Sequence, residues 1–106
     1  MSEAVKKYFL LAILLSKSRE LEEDGMGIDE VLRCEISDAQ DFLWYAFKKD
    51  EIDLLQREYF KTMASVLDEL PRNLQELIRL GDFAKAFEAI VPEWKGGANG
   101  SVTGGV

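Results

Sequence analysis

Two pairs of carboxylates have a spacing that could do chemistry: Glu20-x-x-Glu23 and Glu35-x-x-Asp38. Residues three apart on a helix share a side, so each pair aims two hard oxygen donors in one direction. Two such pairs facing each other could hold magnesium, which favours carboxylate and water oxygens. Other reactive constellations are missing. The chain has no histidine, which removes serine and cysteine triads, His-ligated zinc and haem, and imidazole switches near neutral pH. Cys34 is the single cysteine. It can form no internal disulfide, suits a reducing compartment, and reads as a small buried hydrophobe. The one glycine cluster is terminal and lacks the strand, lysine and helix of a phosphate-binding loop. A different kind of candidate is the aromatic pair Trp44 and Tyr45, close to Asp41, Lys48 and Lys49. Such rings either lie across neighbouring helices with their polar tips in water or anchor a protein interface.

Charge narrows the partners. Twenty acidic against thirteen basic residues give a net charge of −7, a field that repels phosphate backbones. No basic groove interleaved with aromatics offsets it, so direct, autonomous nucleic-acid binding is not expected. Residues 50–70 carry six acidic and two basic side chains, a surface on which a basic partner could dock. The 106 residues fit one domain, long enough to close a core without metal or disulfide staples.

The elements that must position these residues follow from hydrophobic period and caps. Ser2 can cap a helix from Glu3 to about Glu23, with Gly25 and Gly27 as its stop. Lys6-Lys7 followed by the apolar run Tyr8 to Leu15 has the outline of a signal peptide, but eight residues cannot span a bilayer and Ser16-Lys17-Ser18 is a poor cleavage site. The segment therefore reads as a buried first helix, and the protein as cytoplasmic with no membrane association. Val5, Tyr8, Phe9, Ala12 and Leu15 share one face of this helix, while Leu10, Ile13 and Leu14 fall on the side of Lys6 and Lys17. A small bundle has little room for a helix that is apolar all round. Leu10, Ile13 and Leu14 are accordingly expected to meet a protein partner or a second copy of the chain.

Ile28, Val31, Leu32 and Ile36 give a short second helix. Ser37 and Gln40 have the spacing of a capping box that would start a new helix at Asp38, unless the two run on as one. The face Ile36, Ala39, Phe42, Leu43, Ala46 and Phe47 lies nearly opposite to the face Ile52, Leu55, Tyr59, Met63, Val66 and Leu70. The sequence thus predicts a turn near Lys49 to Asp50, with Asp50 as N-cap and an antiparallel helix pair across it. Pro71 opens a further helix, Gly81 stops it, Asp82 caps the last one and Pro92 closes that. The resulting organisation is an all-α bundle of five or six helices over residues 1–95, followed by a flexible Gly-rich tail over 96–106 that has five glycines and no charge.

Two family resemblances sit on these residues. The hairpin Leu80-Gly81-Asp82-Phe83-Ala84-Lys85-Ala86-Phe87-Glu88 resembles the inter-helix turn of tetratricopeptide units and of several other helical-hairpin families. It covers under a fifth of the chain and is not repeated. The two acidic pairs, with the apolar run through Leu43-Trp44-Tyr45, resemble the all-α nucleotide pyrophosphohydrolases of the MazG type. That resemblance implies magnesium held by Glu20, Glu23, Glu35 and Asp38 for attack of water on a nucleoside triphosphate. Arg19 stands where that family commonly has another glutamate, and a surface rich in acids produces such pairs without any metal.

The leading expectation is a non-enzymatic helical interaction module with no cofactor, an accessory subunit of a larger assembly that touches its partner through Leu10, Ile13, Leu14, Trp44 and Tyr45. Small helical subunits of this kind occur in nucleic-acid-processing complexes, an analogy at the level of fold class. The alternatives are the magnesium-dependent pyrophosphohydrolase and a self-assembling structural protein.

Overall fold

Helix α1, Glu3–Glu23, begins where Ser2 supplies an oxygen: its Oγ accepts from the Val5 amide at 3.2 Å. This satisfies one of the donors that a helix start otherwise leaves orphaned. From Phe9 to Leu14 every residue of α1 is buried. A stretch apolar on all sides needs cover on all sides, and three helices supply it. In the computed structural model, which describes residues 2–23 and 29–94, α2 (Glu30–Tyr45), α3 (Lys49–Asp68) and α5 (Phe83–Ile90) all pack on α1. Helix α4, Arg72–Arg79, packs on α5. The side chains of Glu22 and Glu23, the expected glycine stop after α1 and the tail over 96–106 lie outside the described residues. Those described residues are helix and short turns, with no strand among them, and none of their helices is long and apolar enough to cross a membrane.

One turn beyond the buried run of α1, the polar Ser18 is buried as well. Ser18 is fully buried, and its hydroxyl donates to the Leu15 carbonyl at 2.8 Å, so it needs no partner from outside its own helix.

Helix α2 is continuous across the site where the Ser37 and Gln40 pattern predicted a new start. Its cap is Asp29, which accepts from the Val31 amide at 3.3 Å. Gln40 does not turn back on its own backbone; its Nε2 donates to the Tyr8 carbonyl at 3.2 Å and tethers α2 to α1. A tertiary contact thus takes the amide that a capping box would have used.

The break between α2 and α3 falls at Ala46 to Lys48, just before the expected turn. Lys48, not Asp50, is the N-cap residue, because Glu51 reaches back and accepts from the Lys48 amide at 2.9 Å. Asp50 sits in the first turn, where its charge meets the positive end of the helix. The expected pairing of these two helices with each other gives way to a shared partner, since both pack on α1. Within α3, Glu58 leaves helical geometry at φ −126°, ψ 33° and kinks the helix.

The last hairpin follows its local chemistry. Gly81 takes φ +77°, a left-handed conformation that costs glycine little. The Asp82 amide donates to the Leu77 carbonyl at 2.9 Å and the Gly81 amide to Ile78 at 3.0 Å, the paired bonds of a Schellman stop. Asp82 then caps α5 by accepting from the Lys85 amide at 3.4 Å. Beyond α5, the Lys7 ammonium meets the Glu93 carboxylate at 2.8 Å and closes the chain back on α1.

Candidate interaction surface

At about 100° per residue, Leu32, Ile36, Ala39 and Leu43 turn α2 toward α1. Val31, Cys34, Asp38, Asp41, Phe42 and Tyr45 fall in one arc on the opposite side, and all six are exposed. At 1.5 Å per residue the arc is about 21 Å long. Three of its members are large apolar side chains, and two are carboxylates that no ion pair engages among the described residues. Cys34, expected to be a buried hydrophobe, is exposed here because it lies at the centre of the outward side.

The aromatic pair named from sequence separates into two roles. Trp44 turns inward and is half-buried, its ring 6.0 Å from Tyr8 and 5.7 Å from Phe47. Partial burial holds the Tyr8 hydroxyl above its ordinary pKa, with the charges of Tyr59 and Asp41 adding to the effect. Tyr45, one residue on, is 86% exposed. Adjacent residues on a helix point about 100° apart, so only one of the two could share the core face.

Phe42 joins Tyr45 outside. It belongs to the face expected to be core, yet it is 65% exposed. The reason is rotational: Gln40 and Trp44 both face α1, which moves the centre of the buried side away from Phe42. Its one aromatic neighbour among the described residues is Trp94, edge-on at 5.7 Å. The indole N–H of Trp94 is buried and has no acceptor among the described residues. On the kinked α3, Phe60 is likewise exposed and was not singled out by its pattern. It ends a string of rings that runs through Tyr59 at 5.4 Å and on to Phe9 at 5.2 Å.

Leu10, Ile13 and Leu14 are not part of any such surface. They are 7%, 3% and 0% exposed, inside the core made by this one chain. The expectation that a small bundle cannot enclose a helix fails because α2, α3 and α5 all pack on α1.

The carboxylates are dispersed. Glu20 is paired with Lys17 at 3.4 Å on α1, Glu35 is half-buried on α2, and Asp38 stands on the side of α2 turned away from α1. A cleft of about 320 Å³ beside Glu20 is lined by Lys17, Leu21, Leu70, Gln75, Ile78 and Arg79, and by neither Glu35 nor Asp38. Among the described residues no group of three or more carboxylates and thiols could hold a metal ion; the Glu23 side chain is outside that description. In comparison with known proteins, the chain matches no family model, no curated protein and no solved structure.

Proposed function

We propose that this chain is a non-enzymatic interaction module, an accessory subunit that docks on a protein partner through the outer face of α2. The observation that supports this most directly is the pair Phe42 and Tyr45, standing out of a helix whose other side packs on α1. Aromatic side chains carry large contact area at small entropic cost and dominate the energetics of protein interfaces. The contact set is Tyr45 with Phe42 and Val31, and Trp44 supports it from behind through its contacts with Tyr8 and Phe47. The net charge of −7 favours a partner of opposite sign over a second copy.

The test is affinity isolation of the tagged protein from its native cell, beside the variants Tyr45→Glu and Phe42→Glu. The expected result is a defined heterologous protein that copurifies with the parent and is lost from both variants, Tyr45→Glu keeping its melting temperature and Phe42→Glu remaining folded with a melting temperature lower by several degrees. Recovery of copies of the chain alone would point to the self-assembling structural protein. A partner retained by both variants would place the contact elsewhere. Magnesium-dependent release of pyrophosphate from nucleoside triphosphates by the purified protein would overturn the non-enzymatic reading.

A further inference from the structure

We infer that the occupant of the outer face of α2 is a basic amphipathic helix contributed by the partner protein. This rests on the reading above and adds the chemistry of what binds. The face is a straight strip about 21 Å long, which equals roughly fourteen residues of a second helix laid alongside. It offers no strand edge, so the addition of an extended peptide to a sheet is not available. A helix bringing apolar residues at i, i+3, i+4 and i+7 is the mode that fits.

Charge selects among helices. Asp38 lies between Val31 and Tyr45 on the strip, and Asp41 lies along its border, with no ion pair on either among the described residues. The basic residue of α2, Arg33, points to the other side and pairs with Glu30 at 3.4 Å. A helix that covers Val31, Phe42 and Tyr45 must desolvate both carboxylates. An acidic or uncharged partner would leave them unpaired at the contact, which is costly. Lysine or arginine flanking the partner's apolar stripe pairs with them. A second copy does not supply this pairing, because a twofold contact centred on the strip sets Asp38 near its own counterpart and brings no basic side chain of the same face to either carboxylate.

Both tryptophans of the chain stand next to this strip: Trp94 lies against Phe42, and Trp44 is the immediate neighbour of Tyr45 in α2. The full-length protein is therefore titrated, by intrinsic fluorescence, with a tryptophan-free synthetic helix of about 18 residues. The helix carries a leucine stripe flanked by lysine and arginine, and its twin has glutamate at the flanking positions. Saturable binding of the basic helix is expected, with the acidic twin weaker by about tenfold. The double variant Asp38→Lys and Asp41→Lys should reverse that order, and Tyr45→Ala should weaken both.

Equal affinity for the two helices, no saturable binding of the basic one, or an order unmoved by the double variant would overturn the inference. The native isolation separates it from the reading on which it rests. If Tyr45→Glu loses the partner while Asp38→Lys with Asp41→Lys keeps it, the face is an interface but its occupant is not basic. If neither change matters, both readings fall.

Discussion

Leu10, Ile13 and Leu14 on α1 fall outside the main apolar stripe of their helix, Val31, Phe42 and Tyr45 on α2 fall outside the side that meets α1, and the fold treats the two apolar triplets in opposite ways. The first three are enclosed by the chain itself, whereas the second three remain in contact with solvent. Their chemistry does not account for this, since aromatic side chains have at least as much area to hide as leucine. What differs is the number of neighbours. Helix α1 is covered by α2, α3 and α5, while α2 has α1 as its main support and presents a back that no described helix covers. Off-stripe hydrophobes on a hub helix are therefore core, and on a peripheral helix they are surface available to another molecule.

Substitutions along this contrast should give a graded series. The largest effect belongs to α1: Leu14→Ala should cost about 2–5 kcal/mol through lost transfer energy and a cavity. The pair Leu10→Glu with Leu14→Glu should abolish cooperative thermal unfolding, because two buried charges exceed a total stability of about 5–15 kcal/mol. If that double variant melts like the parent, the contrast between the triplets is broken. Phe42→Ala comes next, at roughly 0.5–1.5 kcal/mol, because it loses the edge contact with Trp94 but little burial. Chemical denaturation followed by circular dichroism measures both.

Acid should act on the fold from its surface, at the start of α3. The Lys48 amide, followed by the Ser2 hydroxyl, holds the Glu51 carboxyl below the ordinary glutamate range. A lowered folded-state pKa gives stability that is fully present above the unfolded value of about 4.3 and is lost as pH falls through the folded value. Denaturant midpoints measured from neutral pH down through that window should fall, and Glu51→Ala should flatten part of the slope. The smallest effect is expected at Tyr45. Tyr45→Ala should stay within about 0.5 kcal/mol of the parent, so a large loss of stability there would show that the ring is structural after all.

The parts of this fold that were legible in the sequence are those fixed by neighbours in the chain. Pro71, Gly81 and Asp82 carry their conformational demands with them, and the α4–α5 hairpin follows those demands. The parts that were hidden depend on contacts between distant residues. Gln40 could cap a helix or bridge to Tyr8, and only the approach of α1 decides between them. The rotation of α2 that buries Trp44 and leaves Phe42 outside depends on that same approach, which the spacing of α2 alone does not contain. Tyr45 was legible as a candidate because it stands apart from the apolar stripe. The burial of Leu10, Ile13 and Leu14 required knowing that α5, the last helix described, returns to the first.

That return sets a timetable for the chain during synthesis. The most apolar segment leaves the ribosome ahead of the helix that completes its cover, which follows roughly 75 residues later and, at about 5–20 residues per second, on the order of 4–15 s later. Until α5 arrives the nascent chain carries a greasy helix that α2 and α3 cover only in part, the kind of surface that holdase chaperones grip and that draws partial chains together. Ribosome-stalled fragments ending before Phe83 should therefore be chaperone-bound or insoluble, while chains extended past the Lys7–Glu93 ion pair are released to fold.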